Sequence, residues 1–583
     1  MLLLNAIMDR RSFLRTAGSA AGAAALLDAP IAPLQARQSS QADVAAIIKR
    51  TERNRDMVQS TLAPWGGSLD AHTTGHVYRR AGFGGTVAEL KAAASLTPSA
   101  LIDALLDDKW TLDANMPGPP SHAQTWMLLP PYQGTDLQRQ IQQNIDDSNA
   151  RYAIRRSWAV EMSRPSTMLR EKMVYFWANH FVVEAQKVEY PHLLLPYLTY
   201  FRKHPWGNFK QMVKDVSVLP AMLYYLDGWY SKGRNPNENY ARELMELFTL
   251  GVTDKDGNPN YTEDDIKAVA LALTGYSIDF STATVNGFPA IYTISDHDSS
   301  LKKPFSSLGA PIRSYGLSSS LHSVPDDIID CLFQYRGDKL AYFICGKLYQ
   351  YFVYHDISGA TEQAIISQLA TTFQNANWEL KPVLQQLLKS EHFFDEANIG
   401  AAIKSPFEYM IGLARQFDIP LDEFQTGTLE MYGLSLLNQS LLDPPNVKGW
   451  PGYRSWVSTT TLPIRNKYLA SALAMTGGTT GIPAWNGVTG YGENYTGILW
   501  SDADVLKWAA QFGEYKGDVH HFISQVATFL CAQPPASDFL TTYVFAPLSF
   551  PDYEWPTMPD ADRVIKIRTI LTAITTLPEF QIM

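Results

Sequence analysis

The densest group of side chains able to move protons lies between residues 235 and 251. On an α-helix, Glu238, Arg242 and Glu246 stand one turn apart along one stripe, and Glu243 lies on the adjacent stripe. Carboxylates crowded around an arginine suit acid and base catalysis, in which one carboxyl is held protonated while its neighbour stays ionised. A buried ion network that braces a helix has the same composition. The segment therefore predicts either a paired-carboxylate site or such a network.

A histidine on an earlier aromatic segment is the candidate partner of these carboxylates. His180 follows Trp177 and Asn179, two candidates for contacts with a substrate, and Glu184 comes four residues later. On a helix this spacing lets an imidazole and a carboxylate bind one metal ion or each other. The histidine is then an acid and base beside the carboxylates, or a ligand of a redox metal. The alternative is a buried histidine hydrogen-bonded to a carboxylate.

A loop that follows the carboxylate segment imitates a calcium-binding loop. Its oxygen-bearing positions are Asp254, Asp256, Asn258 and Asp265. They stand at the first, third, fifth and twelfth places of the motif, but Pro259 occupies the place of the turn-forming glycine. The alternative is a polar turn followed by a helix that Thr262 and Asp265 cap in a capping box. The metal hypotheses thus include calcium here and a transition metal at the histidine.

Two further polar groups are candidates for substrate binding. His297 and Asp298 lie in a segment predicted to be a loop, where functional side chains concentrate. Prolines and glycines make the segment 444–452 extended or turn-like, so Trp450 could stack on a ligand in a polar cleft that Arg465 helps to line. The alternative is a packing loop whose tryptophan fills the space between helices.

The elements that must position these residues are helices. Apolar residues recur at three- and four-residue spacing over most of the chain, including 167–183, 237–250, 326–335 and 338–354. Alternation typical of strands is confined to 276–294, where a hairpin is expected. The fold class predicted is mainly α, a large multi-helix globular protein with long loops and at most a small β hairpin.

The first residues carry the pattern of a twin-arginine export signal. Arg10 and Arg11 precede Phe13-Leu14, a mildly apolar stretch follows, and cleavage is expected after Ala36. The predicted division is a signal peptide at 1–36, an N-terminal arm at 37–69, a helical core at 70–475 and a loop-rich, helical extension at 476–583. The expected location is the periplasm or the outside of the cell.

Composition narrows the class of partner. The formal net charge of −10 disfavours a nucleic-acid partner, because phosphate binding requires a basic surface. After the signal, no apolar run is long enough for a transmembrane helix. The three cysteines have no spacing typical of a metal site or redox motif and are expected to be buried thiols.

Several motifs together resemble one bacterial family. The segments that carry the resemblance are 76–84, 169–184, 235–251, 261–263, 273–275, 297–298 and 444–452. Their order resembles that of the family catalogued as domain of unknown function 1800. The resemblance implies an exported protein with no assigned reaction. It also implies a candidate partner, because members are often encoded beside an exported, phosphatase-superfamily-like family.

Three hypotheses follow for the function. The first is a hydrolase or lyase that acts on an extracytoplasmic polymer, such as a polysaccharide, through the carboxylates and His180. The second is a non-enzymatic cell-envelope assembly or carrier protein that works with a co-exported partner. The third is a helical, metal-dependent redox protein.

Overall fold

The computed structural model describes residues 41–52, 58, 60–107, 137–282, 287–315, 320–419, 436–466 and 500–583. The predicted signal peptide at 1–36 and the predicted end of the helical core at residue 475 lie outside these ranges. The predicted fold class is confirmed, because the chain is predominantly helical and the β-sheet found in these ranges has two antiparallel strands.

Helices make up the body of the described chain. In chain order they are α1 (Gln41–Thr51), α2 (Ala71–Arg80), α3 (Val87–Ala93), α4 (Pro98–Leu106), α5 (Leu137–Ser163), α6 (Met168–His180), α7 (Pro191–Lys203), α8 (Phe209–Val216), α9 (Pro220–Tyr225), α10 (Glu238–Glu243), α11 (Glu263–Ala272), α12 (Ser323–Phe352), α13 (Ala360–Asn375), α14 (Leu380–Leu388), α15 (Pro406–Gln416), α16 (Asp502–Ala509), α17 (Val519–Leu530), α18 (Ser537–Leu540) and α19 (Asp560–Thr575). Within the described ranges, none of them is long and apolar enough to cross a membrane.

Local sequence explains where many of these helices begin. Asp70 accepts the backbone N–H of Thr73 while the Thr73 side chain accepts the N–H of Asp70, a capping box that opens α2. Ser405 and Glu408 form the same arrangement at the start of α15. Such caps satisfy backbone donors that have no partner inside the helix, and each contributes about 1 kcal/mol.

The sheet is the short hairpin that the alternating pattern predicts. Strand β1 (Tyr276–Ile278) pairs antiparallel with β2 (Ala290–Tyr292), and Tyr276 lies opposite Tyr292. Their rings pack 5.1 Å apart, a cross-strand contact of the kind that stabilises such pairs.

The long helix α12 bends where the sequence predicts a gap between two helices, 326–335 and 338–354. Arg336 has non-helical angles, with φ −134° and ψ 16°. Gly337 follows, and a Cβ there would lie 2.9 Å from the Trp378 ring. At the bend the helix backbone therefore passes close to the Trp378 ring, and a residue with a Cβ at position 337 would clash with that ring.

The predicted helix at 237–250 is only partly α-helical. It begins as α10 and becomes a π-helix over Leu244–Thr249, in which the N–H of Leu250 donates to Met245 O at 2.8 Å. The expectation of a continuous α-helix was wrong, because a hydrophobic period does not distinguish hydrogen bonds to the fourth residue back from bonds to the fifth. Short π-helical turns are frequent at functional sites.

The chain divides into two structural units. The larger unit contains Ala42–Ser458, Ala527–Pro535 and Pro578–Met583, and the smaller one includes Thr459–Val526 and Ala536–Leu577. In the larger unit the N–H of Met583 donates to Ala402 O at 2.8 Å, which fixes the C-terminal residues. In the smaller unit Arg568 donates to Trp500 O at 2.8 Å and to Asp502 at 2.9 Å.

An aromatic core lies around the end of α6. Phe181 packs against Trp177, Phe209 and Phe248 with ring centroids 5.8, 6.2 and 5.3 Å apart. All four side chains are buried. Large rings of this kind dominate the energy of a core, so they fix α6, α8 and the π-helix against one another. The expected buried thiols are also found, since Cys331, Cys345 and Cys531 are buried and free.

Candidate functional site

Asn179, at the end of α6, holds the loop 444–452 in place. Its Oδ1 accepts the backbone N–H of Trp450 at 2.8 Å. Gly449 has φ +81°, and a Cβ at that position would collide with the same Oδ1. The ring of Trp450 is buried rather than open to a ligand. The structure therefore gives the loop its packing role, and Asn179 binds the loop backbone.

This loop brings a lysine to the carboxylate segment. Lys448 Nζ lies 3.4 Å from Glu246 Oε1, and the Tyr261 hydroxyl donates to Glu246 Oε2 at 3.5 Å. Burial and the charge of Glu246 raise the pKa of Tyr261 to about 12, so the phenol stays protonated at neutral pH. Glu246 thus faces one ammonium and one hydroxyl donor.

Glu243 stands beside Glu246 in different surroundings. It is half-buried, and burial, followed by the charge of Glu246, raises the pKa of its carboxyl. Burial raises the pKa of Tyr225 to about 12, with further contributions from Glu184 and Glu243. Glu184 and Glu243 therefore both lie within electrostatic range of the Tyr225 hydroxyl.

Arg242 does not sit at the centre of the predicted cluster. It donates two hydrogen bonds to Glu263, at 3.0 and 2.9 Å, and this pair is exposed. Glu238 is exposed as well. Because the helix changes to π geometry at Leu244, Glu246 does not follow Arg242 by one α-helical turn. The pair that remains from the predicted cluster is Glu243 and Glu246.

His180 is buried and both of its ring nitrogens have partners. Nε2 lies 3.0 Å from Phe248 O, and Nδ1 lies 3.1 Å from Lys347 Nζ. A carbonyl can only accept, so Nε2 carries the proton and Nδ1 accepts from the lysine. Burial, helped by the charge of Lys347, holds the pKa of His180 well below its ordinary value. The imidazole is neutral, and it is not paired with Glu184 because α6 ends at His180.

Sequence reasoning missed Lys347. It lies on α12 in a segment predicted to be an apolar helix, and its Nζ also donates to Leu247 O at 3.1 Å. Burial lowers the pKa of this amine to about 8. A charged residue in the apolar stretch 338–354 is the only hint that the sequence offers.

The predicted calcium loop is held together by its own hydrogen bonds. Asp254 accepts backbone N–H groups from Asp256 at 3.0 Å and Asn258 at 2.9 Å, and pairs with Lys339 at 3.2 Å. The bonds from Asn258 are the main reason that the pKa of Asp254 falls to about 2.

The twelfth position of that loop is used as a helix cap. Asp265 accepts the backbone N–H of Thr262 at 2.8 Å and donates its own N–H to Thr262 Oγ1 at 3.2 Å. Its other oxygen accepts the N–H of Phe305 at 2.6 Å. The loop therefore has the form of the alternative interpretation, a polar turn before a capped helix. Within the ranges that the structure describes, no group of three or more histidine, cysteine or acidic residues is placed to hold a metal ion.

The remaining candidates for substrate binding have structural partners. Trp177 is fully buried and donates from Nε1 to Pro205 O at 2.7 Å. His297 is buried with Nε2 2.7 Å from Tyr315 O, and Asp298 pairs with Lys302 at 3.1 Å. Arg465 is buried in the smaller unit. In the described part of the larger unit, no hydrogen bond or ion pair joins Trp177, His297 or Asp298 to Glu243 or Glu246.

The geometry joins motif segments that are far apart in sequence: the end of α6, the π-helix and the loop 444–452. A family model described as Protein of unknown function (DUF1800) matches residues 76–582. The chain belongs to this family. The matched range includes α6, the π-helix and the loop 444–452. Comparison with curated proteins and with solved structures gives no match.

Proposed function

We propose that this DUF1800 protein is an exported enzyme that cleaves an extracytoplasmic polysaccharide with Glu243 as acid and Glu246 as base. The observation that supports this assignment is the inequality of the two carboxylates. Burial and the charge of Glu246 raise the pKa of Glu243 even though Lys448 and Arg242 act against them, whereas Glu246 forms an ion pair with Lys448 at 3.4 Å. Paired carboxylates in unequal surroundings divide the roles of acid and base.

The chemistry needs one protonated and one ionised carboxyl. In hydrolysis, Glu243 gives its proton to the oxygen of the leaving sugar, and Glu246 takes a proton from the water that attacks the anomeric carbon. In elimination, Glu246 removes a proton from the carbon next to the one that carries the leaving oxygen, and Glu243 again protonates that oxygen. The first route consumes water and the second leaves a double bond in the product.

His180 has no proton-transfer role in this proposal, unlike in the sequence-based hypothesis. Its nitrogens bind Phe248 O and Lys347 Nζ, so it positions the π-helix that carries Glu246. The same contacts occupy the imidazole lone pair that a metal would need, and the site gives no support to a redox metal at His180.

Export through the twin-arginine route is part of the proposal and rests on Arg10 and Arg11 in the N-terminal segment. Proteins that use this route cross the membrane already folded. A large chain with a buried aromatic core and no disulfide among its described residues fits folding before export.

A polysaccharide screen tests the enzymatic proposal. The purified protein is incubated with soluble neutral and acidic polysaccharides, while new reducing ends report hydrolysis and ultraviolet absorbance of unsaturated ends reports elimination. We expect Glu243→Gln and Glu246→Gln each to lower the rate by about 100-fold or more. Glu238→Gln is the control, because Glu238 is exposed on the same helix. Equal rates in all three variants would contradict the assignment.

A second candidate function, assembly or carriage with a co-exported partner, is favoured by exposed apolar side chains on one segment. Between residues 287 and 315 the exposed members are Ile291, Ile294, Leu301, Leu308 and Ile312. Exposed apolar residues concentrated in one region are typical of interaction surfaces.

Co-purification with the phosphatase-superfamily-like neighbour tests this candidate. The double variant Leu301→Ser, Ile312→Ser is expected to lose the partner, whereas Ile565→Ser, an exposed position in the smaller unit, keeps it. Retention of the partner by the double variant would argue against a docking role for this segment.

A further inference from the structure

A cleft in the larger unit, whose lining does not include Glu243 or Glu246, has both aromatic and polar side chains in its walls. Its volume is about 670 Å³, and its walls include Tyr342, Gln350, His355, Gln363 and Tyr453. They come from the second half of α12, the loop that follows it, α13 and the turn after the 444–452 loop. This volume lies within the range of sites for small ligands, about 300–1,000 Å³.

We propose that this cleft, called here the Tyr453 cleft, binds neutral sugar residues of a carbohydrate chain. The proposal concerns a binding site and does not require Glu243 or Glu246 to be catalytic. Three features of the cleft support it: an aromatic wall, amide groups with oxygens left for a ligand, and cations that are already paired.

The aromatic wall is held rigidly. The rings of His355 and Tyr453 stack with centroids 3.4 Å apart and planes 16° apart, and the Tyr453 hydroxyl shares a 2.8 Å hydrogen bond with Thr51 Oγ1. Tyr453 has φ +48°, a left-handed conformation that costs a non-glycine residue of the order of 1 kcal/mol. Tyr342 adds a third ring to the wall. The C–H face of a sugar packs on rings of this kind while its hydroxyls remain free to form hydrogen bonds.

Two glutamines give the cleft its polar groups. Gln350 Nε2 donates to His355 O at 2.8 Å, and Gln363 Nε2 donates to Ser358 O at 3.3 Å. These bonds orient both amides. Among the described residues, neither amide oxygen accepts a hydrogen bond, so both can accept from the hydroxyls of a ligand. Oriented amides give a hydroxylated ligand direction as well as affinity.

The charges around the cleft favour a neutral ligand over an anion. Lys255 is paired with Asp256 at 2.7 Å, and Arg454 with Glu52 at 2.7 Å. Asp356, on the wall, accepts the N–H of Ser358 at 3.0 Å. An anion would have to compete with carboxylates that already neutralise the two cations, whereas a sugar hydroxyl would not.

Affinity electrophoresis tests the proposal on the full chain. The protein is run through native gels that contain dextran, soluble starch, laminarin, xylan or hydroxyethylcellulose, and through gels that contain alginate or polygalacturonate. We expect retardation by at least one neutral polymer, with an apparent Kd that rises about tenfold, equivalent to about 1.4 kcal/mol, in Tyr342→Ala and in Gln363→Ala.

Two controls match these variants. Gln374→Ala removes an exposed glutamine of the same helix that does not line the cleft, and Tyr553→Ala removes an exposed tyrosine of the smaller unit. Both are expected to bind as the wild type does. Thermal unfolding of all four variants confirms that each is folded.

The outcomes separate this site from the proposed catalytic pair. Glu243→Gln is expected to bind the gel polymer normally, even if it cleaves nothing. The proposal is overturned if no neutral polymer retards the protein, if retardation is strongest with the anionic polymers and competed by inorganic phosphate, or if folded Tyr342→Ala and Gln363→Ala bind like the wild type.

Discussion

At the scale of single residues, Glu243 is a half-buried carboxyl that stands beside a second carboxyl, Glu246. Its pKa is raised by burial and by Glu246, so the folded protein disfavours its ionised form. Above the unfolded pKa this group therefore lowers stability, and below it the cost disappears. A group that functions at the expense of stability is common in active sites.

The first prediction follows from the destabilising effect of the ionised Glu243 carboxylate. Glu243→Gln is expected to raise the free energy of unfolding in urea at pH 7 by roughly 0.5–1 kcal/mol, because the unfavourable charge is gone. At pH 4, near the ordinary pKa of glutamate, the gain should shrink. Glu238→Gln should change stability little at either pH. A Glu243→Gln protein that is less stable than the wild type at pH 7 would show that the carboxylate belongs to a stabilising ion network.

The second prediction concerns the buried amine of Lys347, which is a cation when it is charged, unlike Glu243. Burial lowers its pKa to about 8, so its ammonium costs stability below pH 8, and the cost is relieved as pH rises toward the unfolded value near 10.4. Measured against Lys347→Met, the wild type should therefore gain up to about 3 kcal/mol in free energy of unfolding between pH 7 and 10.

Lys339 provides the matched control on the same helix. Although partial burial acts against it, its bond to Asp254 raises the pKa of this lysine. The wild type should therefore show no gain between pH 7 and 10 when it is measured against Lys339→Met. If the difference in free energy of unfolding between the wild type and Lys347→Met also does not change between pH 7 and 10, the Lys347 amine is solvated like an ordinary surface lysine.

At the scale of elements, the loop 444–452 is positioned by one close approach of backbone to side chain. Gly449 and Gly452 both have positive φ, +81° and +73°, but only a Cβ at Gly449 meets neighbouring atoms, first of all Asn179 Oδ1. The Lys448 contact to Glu246 depends on this fit. A substitution at Gly452 therefore measures the cost of backbone strain alone. A substitution at Gly449 measures that strain together with the clash against Asn179.

The third prediction uses this pair of glycines. Gly452→Ala should cost about 1 kcal/mol of stability from strain alone. Gly449→Ala should cost about 3 kcal/mol, because the loop must also move away from Asn179, and it should lower any activity that depends on Glu246. Urea unfolding of both variants gives the comparison. Equal costs would mean that the loop adapts freely and does not set the position of Lys448.

At the scale of the whole molecule, the fourth prediction concerns export. Replacement of Arg10 and Arg11 by lysine should leave the protein in the cytoplasm, because the transport route reads the arginine pair. Arg15→Lys, in the same segment, should be exported normally. Cell fractionation and immunoblotting measure the distribution. Export of the double variant would assign the N-terminal segment another role.

The sequence could predict much of the fold from local rules. The capping pairs at Asp70, Thr262 and Ser405 are satisfied by residues three positions away, so short-range pattern suffices to place the start of a helix. The break in α12 at Arg336 and the hairpin at 276–294 are likewise local. Three of the motif segments that the sequence singled out, 169–184, 235–251 and 444–452, do meet, through Asn179 and Lys448.

Only the tertiary structure decided which of these groups are partners. The sequence suggested Glu184 as the partner of His180 and a cluster of carboxylates around Arg242. In the structure α6 ends at His180, and packing places Lys347 beside this histidine and Glu263 beside Arg242. The sequence by itself determined the helical content, the caps and the residues able to move protons, because these depend on neighbours along the chain. Partner choice, burial and the resulting pKa values depend on which elements pack together, and no short-range pattern encodes that.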